Sequence, residues 1–346
     1  MERVRVSIVG ASGYVGGELL RLLLRHPYVE IAQVTSESHA GEPVHRVHPH
    51  LRKATGLTFC RMADLKPCDI LFIALPHGQV APRIEAFAAL APVLVDLSAD
   101  FRLRRPEDYA RWYGHPHPHP EWLSRFVYGL PERYRAELRG ARAISGVGCN
   151  ATAAILALWP LVRADLLDPE RPVIVDIQAA SSEAGREPNP GSHHPERHGA
   201  IRPYAPVQHR HTAEVRQALG REGVVLSLTA VDAVRGVLAI AHAWPRDRIA
   251  EPELWRIYRA AYSEEPFIRL VKDRQGVHRL PDPKAVVGSN FADVGFAVEE
   301  ETGRIVALCA LDNLMKGAAG SAVQSLNVAM GWPETAGLDL IPVYPA

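Results

Sequence analysis

Val4-Arg-Val-Ser-Ile-Val9 runs directly into Gly10-Ala-Ser-Gly-Tyr-Val-Gly16, and this junction decides the fold of the N-terminal half. Val4, Val6, Ile8 and Val9 give the short β-branched run of a buried strand. A helical pattern follows over 18–25, with Leu19, Leu20, Leu22, Leu23 and Leu24 on its apolar side. A second strand over 29–35 closes a βαβ unit. Glycines at 10, 13 and 16 in the turn between strand and helix let a pyrophosphate approach backbone N–H groups at a helix N-terminus. Gly10, Ser12, Gly13, Tyr14, Val15 and Gly16 are therefore candidate dinucleotide contacts; the plainer reading is a βα turn that needs glycine for its geometry.

Further buried-strand runs lie at 70–75 and 93–97 with a helix over 79–90 between them. Strands alternating with helices predict a parallel, doubly wound α/β sheet of Rossmann type. Beyond Cys149 the texture changes. A helix over 151–158 precedes longer strands at 173–179, 224–231 and 236–244 with little helix between them, then a helix over 251–262 and a strand over 305–310. This predicts an α+β, mainly antiparallel second domain. Residues 183–211, rich in Gly, Pro, His and Arg, read as a long functional loop, and the small residues of 313–330 as a closely packed helix. The expected division is a dinucleotide-binding domain over 1–148, completed by the C-terminal segment 313–346, and a catalytic and dimerisation domain over 149–312.

Composition excludes several classes. Thirty-nine basic residues balance thirty-nine acidic ones, so no global field draws nucleic acid to the chain. Four cysteines, Cys60, Cys68, Cys149 and Cys309, form neither a disulfide framework nor paired metal spacing. Prolines between the histidines of His115-Pro-His-Pro-His-Pro120 hinder convergent ligation, so that stretch reads as a surface loop and no metal is expected. The strand pattern begins too early to leave room for a signal peptide, and no apolar run is long enough to span a bilayer. A cytoplasmic protein is expected.

The second strand ends Thr35-Ser36-Glu37-Ser38. Hydroxyls at Ser36 and Ser38 suit the 2′-phosphate of NADP, whereas an inward acidic residue would hold the ribose of NAD; Glu37 is an awkward neighbour if it points inward. At Gly146-Val-Gly-Cys149-Asn-Ala-Thr152 a strand over 141–145 gives way to a helix. Cys149 thus stands near a helix N-terminus, which stabilises a thiolate and offers N–H groups to an oxyanion. Thr152 is placed to serve the first turn. Downstream, His209-Arg-His211 supplies candidate acid–base groups.

Taken together these stretches resemble the N-acetyl-γ-glutamyl-phosphate reductase family, relatives of aspartate-semialdehyde dehydrogenase. The resemblance covers nearly the whole chain through Gly10–Gly16, Leu75-Pro-His-Gly78, Asp96-Leu-Ser-Ala-Asp-Phe-Arg102, Tyr128-Gly-Leu-Pro-Glu132, His209-Arg-His211, Arg235-Gly236, Gly288-Ser-Asn290 and Asp312-Asn-Leu-Met-Lys-Gly-Ala-Ala-Gly320. It implies NADPH-dependent reduction of an acyl phosphate through a thioester on Cys149. His209 is then the acid–base group, with His211 as the alternative. Arg102, Asn150, Arg186 and His211 fall on the substrate and phosphate side, and a guanidinium suits the departing phosphate. Pro76, His77, Ser182, Gly185, Asn313 and Lys316 join the cofactor contacts.

The arginine-pathway enzymes read Asn-Pro-Gly-Cys-Tyr-Pro-Thr at the nucleophile. Gly-Cys149-Asn-Ala-Thr152 instead resembles the lysine-biosynthetic branch, whose α-aminoadipyl δ-phosphate hangs on a small acidic carrier protein. Arginine and histidine exceed acidic residues between Arg186 and Arg216, which suits an acidic partner. The arginine-pathway reaction, a dual enzyme and a non-enzymatic dinucleotide sensor are the competing readings. The family also implies a dimer or tetramer built through the second-domain sheet.

Overall fold

The computed structural model describes residues 3–345. They form two compact units: the first runs to Val147 and takes up Ala318–Asp339, and the second comprises Gly148–Gly317 and the tail from Leu340.

The first unit is a six-stranded sheet of β1 (Val4–Val9), β2 (Val29–Val34), β3 (Ile70–Ile73), β4 (Val93–Asp96), β5 (Val127–Tyr128) and β6 (Ala143–Ser145), in the order β2-β1-β3-β4-β6-β5. Every pairing is parallel. Burial of whole strands such as β3, rather than alternate residues, is what a sheet covered on both faces requires. The helix after β1 spans Tyr14–Leu23, earlier than its leucines alone suggest, because Gly13 forms its N-cap. The helix expected over 79–90 is shorter. Asp100 accepts the N–H groups of Val80 and Ala81 at 3.0 and 2.8 Å, a tight turn follows over Ala81–Arg83, and the α-helix is confined to Ile84–Leu90.

The second unit holds β7 (Val173–Ala179), β8 (Ile201–Ala205), β9 (Val224–Val231), β10 (Val237–Ala243), β11 (Ile268–Leu270), β12 (Ala292–Val298) and β13 (Ile305–Leu311), in the order β11-β12-β13-β10-β7-β9-β8. Four pairings are antiparallel, while β11–β12 and β7–β9 are parallel. One face of this sheet packs on the fifteen-residue helix Cys149–Arg163. Against that helix lie helices His211–Leu219 and Glu251–Tyr262. Tyr258 and Tyr262 donate their hydroxyls to the carbonyls of Ala157 and Leu156 at 2.9 and 2.6 Å.

Three expectations change here. The 183–211 loop contains the edge strand β8, and a helix at His211–Leu219 interrupts what reads as helix-poor sequence. β12 is absent from the sequence reading because Asp293 and Gly295 break its apolar pattern. Asp293 is buried against Arg269, Nε to Oδ1 at 2.6 Å and Nη2 to Oδ2 at 2.9 Å, and a Cβ at Gly295 would lie 2.5 Å from the Val271 carbonyl oxygen. The C-terminal segment is not one helix either. Met315–Ala319 is a π-type turn belonging in part to the second unit, Gly320–Met330 is a helix of the first, and the chain leaves that unit again after Asp339.

The Gly320–Met330 helix is anchored by polar side chains. Asn327 Oδ1 accepts from His26 Nε2 at 2.9 Å, and its Nδ2 donates to the carbonyls of Glu334 and Ala336. Gln324 Nε2 donates to Glu132 at 3.0 Å and to Glu334 at 2.8 Å. No helix among the described residues is long and apolar enough to cross a membrane.

Candidate functional site

In the first unit the glycines have steric reasons. Gly10 has φ +74°, and a Cβ there would lie 2.5 Å from the Ala74 carbonyl oxygen; a Cβ at Gly16 would lie 2.6 Å from Ala11 Cα. The Tyr14–Leu23 helix has no side-chain cap, so its first-turn N–H groups face the turn as an anion cradle requires. Val15 is half-buried within that turn, and Tyr14 stays 42% exposed at its mouth.

Ser36 Oγ donates to Ser12 Oγ at 2.9 Å and lies 3.4 Å from Ser38 Oγ, gathering three hydroxyls. Glu37 turns away: its Oε1 accepts the Met62 N–H at 2.8 Å. The awkward carboxylate is thereby removed from the position where it would compete with a 2′-phosphate, and the residues present fit NADP.

Two sequence blocks of this unit meet at Asp100. Its carboxylate accepts the Gly78, Val80 and Ala81 N–H groups and lies 2.7 Å from His77 Nδ1. Burial pushes the Asp100 carboxyl up, but the hydrogen bonds from His77, Ala81 and Gly78 outweigh it and hold it below the usual carboxylate range. His77 also packs on Tyr113 at 4.2 Å, while Pro76 beside it is exposed. Arg102 is 8% exposed, and its Nε donates to the Ser98 carbonyl at 3.0 Å. Of the histidines at 115–119, His117 is not on the surface. It is buried, with Nε2 3.1 Å from the Asp100 carbonyl oxygen and Nδ1 accepting the His119 N–H at 3.0 Å.

In the second unit Cys149 is the first residue of its helix, which carries no side-chain cap. Thr152 does not cap it; its Oγ1 and N–H both donate to the Gly148 carbonyl, at 2.9 and 2.8 Å. A Cβ at Gly317 would lie 2.6 Å from Cys149 Cβ, so glycine in the π-type turn is what admits the nucleophile's backbone there. Asn150, 1% exposed, donates Nδ2 to Glu183 Oε2 at 3.0 Å. The Glu183 carboxyl is also engaged by the Cys149 side chain. Sequence reasoning passed over Glu183, although it stands between Ser182 and Gly185. Glu183 is half-buried, but its Oε1 is sealed from solvent, and burial pushes its carboxyl up to about 7.

The His-Arg-His stretch is tied to the same helix start. Gly148 donates its N–H to Glu214 Oε2 at 3.0 Å, and His211 Nε2 lies 3.8 Å from Glu214 Oε1. The His209 and His211 rings are 4.6 Å apart, edge to face. His209 Nδ1 accepts the His211 N–H at 3.3 Å, and Gln208 just before it holds φ +56°, a conformation costly for a side chain larger than glycine. Burial, then the Arg210 charge, lowers the His209 imidazole to about 4, so at neutral pH the ring is uncharged.

Other predicted positions serve the frame. Asn313 bridges two segments, its Oδ1 accepting the Gly236 N–H and its Nδ2 donating to Ser182 Oγ, both at 2.8 Å. Asp312 accepts from Arg235 and from the Gly288 N–H, so three of the sequence blocks converge on Asp312-Asn313. Lys316 is fully buried, its Nζ 5.9 Å from the Phe267 ring centroid. Gly185 has φ +80° at the end of the Ser182 turn, and Arg186 follows it, exposed. The basic stretch is less available than its composition suggests. Arg197 Nη2 donates to the Ala179 carbonyl at 2.9 Å and Arg202 Nη2 to the Gly191 carbonyl at 3.0 Å, so both brace the loop; Arg210 is exposed.

Comparison with known proteins follows the division into units. Residues 5–141 match the semialdehyde dehydrogenase NAD binding domain, and residues 149–313 match the semialdehyde dehydrogenase dimerisation domain. A putative LysW-L-2-aminoadipate 6-phosphate reductase of Thermomicrobium roseum is 54% identical, with 99% of both chains covered. A LysW-L-2-aminoadipate 6-phosphate reductase of Deinococcus radiodurans is 51% identical over 99% of each chain. A LysW-L-2-aminoadipate/LysW-L-glutamate phosphate reductase of Saccharolobus solfataricus is 48% identical, covering 100% of this chain and 99% of its own. The fold matches aspartate semialdehyde dehydrogenase II of Vibrio cholerae with a TM-score of 0.72 at 17% identity, covering 95% and 98% of the two chains.

Proposed function

The chain belongs to the semialdehyde dehydrogenase family, and we propose that within it the protein reduces an α-aminoadipyl δ-phosphate, presented on a small acidic carrier protein, to the semialdehyde. Cys149 attacks the acyl carbon, phosphate leaves, and a thioester joins substrate to enzyme. Bound NADPH supplies the hydride that reduces it. His209, assigned to the acid–base position, meets the substrate oxygen as an uncharged hydrogen-bond donor, and the first-turn N–H groups of the Cys149 helix stabilise negative charge on that oxygen. Arg186 and Arg102 are assigned to the departing phosphate, Arg102 as a guanidinium already fixed by the Ser98 carbonyl. Gly10–Gly16 with Ser36 and Ser38 bind the cofactor.

The observation that carries the reading is Cys149 at an uncapped helix start, with Asn150 and Glu183 beside it and Glu214 linking that start to His-Arg-His. The lysine-branch substrate is supported by the names of relatives 51% and 54% identical over their full length. The double name of the Saccharolobus relative favours, as a second reading, an enzyme that also accepts the carrier-linked glutamyl phosphate of arginine synthesis. Exposed Ile174 and Val225, 37% and 43% accessible on the open face of the second sheet, support a homo-oligomer formed there, as a dimer or tetramer.

The test pairs two measurements. Cys149→Ser should abolish turnover, and wild-type enzyme given substrate without NADPH should carry an acyl adduct on Cys149 by mass spectrometry. Carrier-linked aminoadipyl phosphate should be reduced with far higher kcat/KM than free N-acetyl-γ-glutamyl phosphate. Since Arg197 and Arg202 are committed to loop carbonyls, charge reversal at Arg210 is the better probe of docking: it should raise KM for the carrier-linked substrate, more so at low ionic strength. Equal efficiency on both substrates returns the arginine-pathway reaction to first place.

A further inference from the structure

We propose that Glu183 is a catalytic residue of this reaction, the group that takes the proton of the Cys149 thiol and later returns it. The proposal rests on the reading of Cys149 as nucleophile and deepens it.

A thiol that attacks an acyl phosphate must give up a proton, and His209 is poorly arranged to receive it. Its Nδ1 already accepts the His211 N–H. In the uncharged ring the remaining proton therefore sits on Nε2, which makes that nitrogen a donor. A donor suits the substrate oxygen and not the sulfur. This is the logic of a neutral imidazole acting as an electrophile.

Glu183 has the complementary properties. Its carboxyl meets the Cys149 side chain directly, is held in place by Asn150 Nδ2 at 3.0 Å from the next residue of the same helix, and has its Oε1 out of solvent. The charged and titratable groups facing it are the Cys149 thiol, Tyr204 of β8, and Arg197 from the turn before β8. Arg197 is the single cation among them, and its guanidinium is bound to the Ala179 carbonyl. The site therefore tolerates one negative charge shared between sulfur and carboxyl more readily than two. Burial raises the carboxyl to about 7, near the pH at which an acid–base group transfers protons in both directions most efficiently.

The proton balance closes. The thiol proton passes to the Glu183 carboxylate as sulfur bonds to the acyl carbon, and the carbon–oxygen bond to phosphate breaks with its electron pair leaving on phosphate, which takes its proton from solvent. After reduction, the alkoxide re-forms the carbonyl as the carbon–sulfur bond breaks. The pair returns to sulfur, and Glu183 gives the proton back. The thiol is regenerated with no further reactant.

Glu183→Gln keeps the shape and an acceptor for Asn150 but cannot take a proton. Its kcat/KM should fall by about 100-fold or more, and the limb of the wild-type pH profile that rises through about 7 should vanish. A readout without cofactor or substrate is alkylation of Cys149 by iodoacetamide. In wild type the rate should rise with pH in two steps, the first near 7, because the pair loses one proton there; in Glu183→Gln only one thiol step should remain. Glu183→Asp, one methylene short, should keep the first step and fall between the two in kcat/KM. Circular dichroism melts show that each variant is folded. Wild-type kcat/KM and an unchanged alkylation profile in Glu183→Gln overturn the role of Glu183 while leaving the thioester intact. An active Cys149→Ser overturns the nucleophile itself.

Discussion

Gly317 has no room for a side chain, because the first atom of one would sit 2.6 Å from Cys149 Cβ. Gly317→Ala must displace either the nucleophile or the π-type turn, and overpacking of this kind costs about 1–3 kcal/mol. The expected outcome is a lowered melting temperature together with a fall in kcat larger than any change in NADPH affinity, measured by calorimetry and steady-state kinetics. At Ser36 the outcome is a change of preference. Ser36→Asp places a carboxylate where Glu37 now declines to put one, and the ratio of kcat/KM for NADPH over NADH should collapse by an order of magnitude or so. A wild type indifferent to the two cofactors removes the basis for that reading. Individual residues were unevenly legible. Cys149 announced itself by its position between glycines and a helix, and the 10–16 turn by its spacing. Glu183 did not, since a carboxyl in a Ser- and Gly-rich loop looks solvated until a strand and a helix start close around it. The basic stretch between Arg186 and Arg216 is legible only as charge: the carbonyls that Arg197 and Arg202 bind are not visible in a sequence.

Among the elements, strands with regular alternation such as β7, β9 and β10 are read almost to the residue, because one face is buried and the period enforces it. β12 escapes because its buried Asp293 is neutralised by Arg269, on a strand distant in sequence. The helix His211–Leu219 hides because Glu214 on its buried face serves the Gly148 N–H rather than solvent. The returning helix Gly320–Met330 shows how much an element can depend on one amide. Asn327 meets His26 and two carbonyls at once, so Asn327→Leu strands one buried partner, worth about 1–3 kcal/mol when left unmade, and two partly buried carbonyls that cost less. Urea unfolding should register several kcal/mol lost, with the loss confined to probes of the parallel sheet.

For the molecule as a whole, buried titratable groups set opposing limits in pH. His26 and His117 are lowered by burial, and His209 is lowered to about 4. The unfolded chain protonates these rings below about 6.5 while the folded chain does not, so stability falls as pH drops from there toward 4. Asp96, fully buried at the end of β4, is raised by that burial to about 7. The folded state keeps a proton that the unfolded state releases above 3.8, so this group withdraws stability as pH rises from there to about 7. The two windows overlap and the contributions oppose each other within them, so melting temperature depends on pH less than either set of groups alone would make it. Asp96→Asn should steepen the fall of melting temperature on acidification from about 6.5 to 4, and His209→Asn should make it shallower; a variant that leaves the profile unchanged contradicts the assignment.

The division of the chain carries a consequence for its birth on the ribosome. The second unit draws nearly all its residues from one continuous stretch, Gly148–Gly317, whereas the first is interrupted by that entire stretch before Ala318–Asp339 arrives. Synthesis therefore delivers the dinucleotide-binding sheet first and the helix that completes its unit last. Until Asn327 and Gln324 emerge, His26 and Glu132 wait without the partners that hold them in the completed protein. The half of the protein translated earliest is thus the half exposed longest to proteases and chaperones. A chain truncated after residue 317 and released should show a protease-resistant second unit beside a digestible first, and resistance of the first should appear only when the truncation point is moved past 339.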